Sequence, residues 1–111
     1  MSEAIFCDSD DVVTARSSKC WLGKDGILRC VVVPGSEDRL EDAVANIAAL
    51  AQLGGGVRRP VLVDIRGQKS QTRDARVYYA SNETTLRTLS AVALFVQSPL
   101  SRMIANFFLG L

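Results

Sequence analysis

Six basic and hydroxyl side chains follow one short apolar segment and could bind an anion. The segment is residues 61–65, and the side chains are Arg66, Lys69, Ser70, Thr72, Arg73 and Arg76. Phosphate or carboxylate groups bind to guanidinium groups and to unpaired backbone N–H groups at a helix start. Ser70 or Thr72 could itself carry a phosphate. The alternative is that Thr72 only caps a helix and the basic side chains are solvated.

Asp64 is a carboxylate inside the apolar segment, so it needs hydrogen-bond partners if it is buried. It could accept from backbone N–H groups of residues 67–72, or pair with Arg66 or Arg76. No histidine and no second carboxylate lie close to it in the sequence. We therefore expect a structural brace and no acid–base role.

Other chemistry is disfavoured by what the chain contains. It has no histidine, and its three cysteines (Cys7, Cys20 and Cys30) lack the close spacing of a zinc or redox site. The run of glycines at 54–56 has no lysine at phosphate-loop spacing. The formal net charge is +1, which gives no signal for nucleic acid. We predict no catalytic residue, no metal and no cofactor.

The chain also lacks signals for export or membrane insertion. Residues 1–8 have no basic region followed by an apolar run, and nowhere do about 20 apolar residues stand together. Sparse cysteines fit a reducing compartment. These features predict a cytoplasmic protein with no membrane span.

The elements that would position the basic segment can be read from the pattern. Residues 61–65, between Pro60 and Gly67, are typical of a strand buried on both faces of a parallel sheet. Residues 12–22 and 27–33, joined by the turn 23–26, predict a β-hairpin. Residues 1–11 are expected to be a loosely ordered, acidic lead-in to a single domain spanning 1–111.

Three helices and another strand complete the prediction. The first helix would begin at Ser36, end at the glycines 54–56 and bury Leu40, Val44, Ile47, Ala48 and Ala51. The second would run from Thr72 to about Ser81 and bury Ala75, Tyr78 and Tyr79. Residues 82–85 would be a loop, and residues 89–96 a second buried strand. Ser98 and Pro99 would start a last helix with an apolar stripe: Leu100, Met103, Ile104, Phe107, Phe108 and Leu111.

This order of elements resembles the STAS-like (SpoIIAA-like) fold, and more closely a bacterial family of small STAS-like proteins of unknown function. The resembling segments are 21–22, 25–28, 34–35, 60–66, 75–76, 79–81, 98–102 and 106–111. The resemblance covers nearly the whole chain. It implies an α/β fold with a mixed sheet, an N-terminal hairpin and helices mainly on one face.

Two differences from STAS-like proteins affect what the resemblance implies. Partner-switching antagonists carry a phosphorylated serine where the second helix begins, whereas the equivalent stretch here is Thr72-Arg73-Asp74-Ala75. Relatives also continue beyond Leu111 into a further strand and helix. An uncovered last helix would favour self-association.

The predicted function is a non-catalytic regulatory domain that presents residues 66–76 to an unknown protein partner, and a homodimer is expected. The second hypothesis is a module that binds an anionic or lipid-like small molecule near the same residues. An enzyme is disfavoured.

Overall fold

The structure, a computed structural model, describes residues 11–96. The described chain contains seven strands: β1 (Val13–Thr14), β2 (Ser18–Leu22), β3 (Leu28–Val32), β4 (Glu37–Asp38), β5 (Arg59–Asp64), β6 (Ser70–Gln71) and β7 (Leu89–Phe95). It also contains three helices: α1 (Leu40–Gly54), α2 (Arg73–Ser81) and α3 (Glu83–Thr88). The α/β class predicted from the sequence is confirmed.

A five-stranded mixed sheet, in the order β1-β2-β3-β5-β7, forms the centre of the fold. β2 and β3 pair antiparallel as the predicted hairpin, and Cys20 lies opposite Cys30. β5 pairs in parallel with β3 on one side and β7 on the other. The prediction that residues 61–65 belong to an interior strand is therefore confirmed for residues 61–64, while Ile65 follows directly as a buried residue.

The three described helices pack together on one face of this sheet. β3 connects to β5 through α1, and β5 connects to β7 through α2 and α3. Both connections step across the sheet in the same direction, so right-handed crossovers place their helices on the same side. α1 contacts β2 and β3 as well as the other two helices. The main core lies beneath α1 and consists of Cys20, Leu28, Cys30, Ile47, Leu50, Val61 and Leu89.

The start of α1 corrects the prediction that Ser36 caps it. Arg39 occupies the N-cap position, and its backbone N–H donates to Asp42 Oδ2 over 2.9 Å. The helix starts late because residues 37 and 38 form β4, which pairs in parallel with β6. This pairing joins residues 33 positions apart, so local sequence could not reveal it. The predicted end of the helix is confirmed, since Gly55 caps it with a left-handed backbone (φ 63°).

The buried face of α1 also differs from the predicted stripe, of which only Ile47 is buried. Leu40 and Val44 are 36% and 44% exposed, Ala48 is exposed and Ala51 is half-buried. The face that meets the sheet carries Ala43, Asn46, Ile47, Ala49, Leu50 and Gly54. Asn46 made this face look polar in the sequence, yet its amide is hydrogen-bonded in the interior.

Three further predictions are wrong in part or in full. The second helix buries Ala75 as expected, but Tyr78 and Tyr79 are only half-buried as whole residues. Residues 83–88 form α3, because the Asn82 side chain accepts from Thr84 N at 2.9 Å and caps a helix where a loop was expected. The strand at 89–95 exists, but only Leu89 is buried, because β7 is the last strand of the described sheet. The predicted lead-in, Cys7 and the helix from Ser98 to Leu111 fall outside the described residues, apart from Asp11 of the lead-in.

Candidate functional site at the carboxyl edge of the sheet

The loops that follow β3 and β5 are joined by backbone hydrogen bonds at the carboxyl edge of the sheet. Gly35 N donates to Gly67 O over 2.7 Å, and Lys69 N donates to Ser36 O over 2.8 Å. β4 and β6 continue this contact as a short parallel pair. A Cβ atom at Gly67 would meet Pro34 Cα at 3.0 Å, a tight contact, so glycine suits the close approach of the two loops. We call residues 34–38 and 67–72 the clamp.

Asp64 and Arg66 form a bidentate ion pair beside the clamp. Arg66 Nη2 donates to Asp64 Oδ2 over 2.7 Å, and Nε donates to Oδ1 over 2.9 Å. Arg66 N also donates to Oδ1. The side-chain hydrogen bond from Arg66 is the main reason that the pKa of Asp64 lies below its usual range. Arg66 is therefore occupied by a carboxylate of its own chain, as expected for a structural brace.

The helix start at Thr72 is also occupied by groups of the chain itself. Thr72 Oγ1 accepts a hydrogen bond from Ala75 N over 3.3 Å, so Thr72 caps α2 as the sequence predicted. Its hydroxyl donates to the Asp74 carboxylate, which accepts from Ala75 N as well. This hydroxyl hydrogen bond is the main cause of the lowered pKa of Asp74. A carboxylate thus lies where a bound phosphate would have to sit, which favours the capping interpretation.

The remaining predicted residues have different environments. Lys69 Nζ lies 3.7 Å from Glu37 Oε1, and Ser70 is a half-buried residue of β6. Arg73 and Arg76 lie on α2, where Arg76 is half-buried. Within residues 11–96, no ion pair or hydrogen bond engages the exposed Arg73 guanidinium. Of the four predicted basic side chains, Arg73 is exposed and makes no ion pair with the residues that the structure describes.

A buried polar network behind the clamp was missed by sequence reasoning. Tyr79 OH donates to Asp38 Oδ1 over 3.2 Å, and Gln71 Nε2 donates to Asp38 Oδ2 over 3.3 Å. Asn46 Nδ2 donates to Tyr79 OH over 3.0 Å, and Ser18 Oγ donates to Asn46 Oδ1 over 2.7 Å. The network connects β2, β4, β6, α1 and α2. A polar residue flanked by apolar residues on a helix, as Asn46 is, was the available signal.

Burial sets the ionisation of this network. Desolvation raises the pKa of Asp38 to about 6, and the nearby negative charge of Asp42 acts in the same direction. Burial also raises the pKa of Tyr79 well above its usual value, which keeps its hydroxyl protonated as a donor. No cation among the described residues contacts the Asp38 carboxylate. Asp38 is therefore a buried acid whose charge is held only by neutral donors.

An open groove lies between α1 and α2, next to the clamp. Its volume is about 760 Å³. Leu40 and Val77, which are 36% and 50% exposed, form its apolar part together with Tyr78. Arg73, Asp74 and Glu83 border it, and Glu83 is already paired with Arg87. The groove therefore combines exposed apolar surface with an available cation.

Cysteine and metal chemistry find little support in the described residues. Cys20 and Cys30 are buried free thiols, and the pKa of Cys30 is raised by its hydrogen bond with Cys20 and by burial. Between residues 11 and 96, no three side chains of the metal-binding types His, Cys, Asp and Glu come together. The arrangement offers an exposed apolar surface beside a cation in the groove, and a buried carboxyl group with a raised pKa at Asp38.

None of the helices in residues 11–96 has the length and apolar character to cross a membrane.

Comparison with known proteins identifies a family to which the chain belongs. No curated protein and no solved structure matches the chain. Residues 20–111 match a family described as a domain of unknown function, DUF7793. Because this match spans most of the chain, from within the first strand of the hairpin onward, the protein belongs to the DUF7793 family.

Proposed function

We propose that this protein is a non-catalytic interaction domain with a STAS-like fold, and that it binds a regulatory protein partner through the groove between α1 and α2. The order of hairpin, crossover helix, interior strand, helix and strand supports the STAS-like assignment. The clamp supports an interaction role, because it holds the N-terminal turns of α1 and α2 in a fixed relation.

The observation that carries this proposal is the position of Arg73 beside exposed Leu40 and Val77. Protein interfaces are rich in arginine and in apolar side chains at their centres. Two other basic side chains near the groove, Arg66 and Lys69, already face carboxylates of the chain. A free guanidinium next to an apolar groove is the arrangement expected of a contact surface.

The charges at the groove define the partner's chemistry. Asp74 is satisfied by Thr72 and by a backbone N–H group, and Glu83 is satisfied by Arg87. Among the described residues, Arg73 is the charged group at the groove that makes no hydrogen bond or ion pair. The partner segment would therefore insert an apolar side chain between Leu40 and Val77 and place an aspartate or glutamate on Arg73.

Affinity capture from the host organism tests this proposal. Bait protein carrying Arg73→Glu or Val77→Asp should lose a partner that the wild type retains. Lys24→Glu is the matched control, because Lys24 lies in the turn between β2 and β3 at the opposite edge of the sheet. Titration calorimetry with the purified partner should show at least a tenfold loss for each groove variant, or about 1.4 kcal/mol. Equal binding by all variants would contradict the proposal.

A small-molecule-binding module is the second candidate, and the size of the groove favours it. Ligand pockets usually enclose about 300–1,000 Å³, and the groove falls in that range. Thermal stabilisation by an anionic nucleotide or a fatty acid, lost in Arg73→Glu and kept in Lys24→Glu, would support this candidate. It would replace the protein-partner proposal if no protein is retained.

We also propose that the protein is cytoplasmic and forms homodimers. This proposal rests on the sequence, in which the apolar stripe from Leu100 to Leu111 needs a covering surface. Native mass spectrometry tests it, and a strict monomer at micromolar concentration would contradict it.

A further inference from the structure

A small cavity lies between α1 and the sheet, behind the clamp. Its volume is about 40 Å³. Its lining includes apolar side chains, among them Ile47, Leu50, Val61 and Leu89, and six polar ones: Ser18, Asp38, Asn46, Gln68, Gln71 and Tyr79. Its mixed lining distinguishes it from the purely apolar cavities that stay dry in proteins.

Two polar atoms of the glutamines in this lining have no hydrogen-bond partner among the described residues. Gln68 is 94% buried, since only 6% of it is exposed, and its Nε2 donor makes no hydrogen bond. The Oε1 acceptor of Gln71 is also buried and unpaired. The orientation of the Gln71 amide is fixed, because its Nε2 donates to Asp38. The cavity is therefore lined by one unused donor and one unused acceptor.

We propose that this cavity is a binding site for internal water. A water molecule needs about 10–15 Å³ of such volume and two to four polar partners. The cavity therefore has room for one to three molecules. Water accepts from Gln68 Nε2 and donates to Gln71 Oε1, which an apolar ligand cannot do. An anion would find no positive counter-charge in this lining. A cation would find only the Asp38 carboxylate, which already accepts hydrogen bonds from Tyr79 and Gln71.

The inference stands on the cavity and on the two glutamines, so it does not depend on what binds in the groove between α1 and α2.

Oxygen-17 magnetic relaxation dispersion, which counts long-lived internal water, tests the proposal. The wild type should show one to three such molecules, and Gln68→Met should lose at least one. The control Gln52→Met, at an exposed position of α1, should match the wild type. No long-lived water in the wild type, or an unchanged number in Gln68→Met, would overturn the proposal.

A second measurement on the unaltered protein covers the case in which Gln68→Met fails to fold. Xenon enters dry apolar cavities. The methyl resonances of Ile47, Leu50, Val61 and Leu89 should not shift under xenon pressure, because water occupies the site. Saturable xenon-induced shifts at these four residues would show a dry cavity and refute the water site.

Discussion

At the scale of single residues, Asp38 has the most unusual environment of the described acids. It is 4% exposed and accepts hydrogen bonds from Tyr79 and Gln71, and Asp42 adds a second negative charge nearby. The negative charge of Asp38 in turn contributes to raising the pKa of the Tyr79 phenol and of the Cys30 thiol. A buried carboxyl group with neutral donors is easier to protonate than one in water.

Asp38 should make the protein less stable as the pH rises from about 4 to about 6. Its pKa is about 6 when folded and about 3.9 when unfolded, so the folded state binds more protons in this window. The contribution present near pH 4 is lost as the pH rises through 6, and amounts to about 3 kcal/mol. Urea denaturation between pH 4.5 and 6.5 should show this slope in the wild type.

The slope should disappear in Asp38→Asn. Asp74→Asn is the control, because the lowered pKa of Asp74 places its own effect below this window. A slope that is the same in the wild type and in Asp38→Asn would contradict the assignment.

The ion pair of Asp64 and Arg66 should contribute to stability without affecting binding. Asp64→Asn should lower the free energy of unfolding by about 1–3 kcal/mol, because Arg66 loses a bidentate partner at a largely buried carboxylate. Chemical denaturation at pH 7 measures this loss. A variant as stable as the wild type would exclude the brace. Partner capture by the folded variant should remain unchanged.

At the scale of elements, the two predicted helix caps turned out differently. Thr72 caps α2, whereas Ser36 lies before β4 and its buried hydroxyl has no partner. The two residues have the same local signal: a hydroxyl side chain followed by acidic residues in the next turn. Only the pairing of β4 with β6 separates them.

Alanine substitution should distinguish these two hydroxyl residues. Thr72→Ala should destabilise the protein by about 0.5–2 kcal/mol, since it removes a helix cap. Ser36→Ala should be neutral or slightly stabilising, because it removes a buried hydroxyl without a partner. Thermal denaturation of both variants measures the difference. Equal losses would mean that Ser36 also serves as a cap.

The buried face of α1 makes a similar test possible. Asn46→Ala would leave Ser18 and Tyr79 without their amide partner and should cost about 1–3 kcal/mol. Val44→Ala, on the exposed side of the helix, should change stability by less than about 0.5 kcal/mol. Denaturation curves that rank the two variants in the opposite order would restore the stripe predicted from the sequence.

At the scale of the whole molecule, the fold brings three separate segments to one edge. The end of β3, the end of β5 and the first turn of α2 meet at the clamp, and the groove and the water cavity both lie next to it.

Because β5 is hydrogen-bonded on both sides, its amides should exchange only on global unfolding. Val63 N–H should exchange at least about 100-fold more slowly than Val13 N–H in the two-residue strand β1, as measured by NMR. Similar rates would contradict the interior position of β5.

The sequence by itself determined the features that depend on neighbouring residues. These are the hairpin around its Asp-Gly turn, the end of α1 at its glycines, the apolar strand β5 and the Thr72 cap. Each follows from backbone preferences or from contacts within a few residues. The sequence offered Arg66 as one of several partners for Asp64, and the structure selected it. Hydrophobic periodicity failed at α1, because a polar residue with buried partners is indistinguishable in sequence from an exposed one.

Only the tertiary structure decided the environment of Asp38 and the choice of Arg73 as the available cation. Asp38 meets Gln71 and Tyr79 across 33 and 41 residues of chain. Arg73 stands out because Arg66 and Lys69 pair with carboxylates, and the partner of Lys69 is Glu37 in the opposite loop. Desolvation and charge pairing depend on which distant segments meet, and that is set by the packing of the whole sheet and its helices.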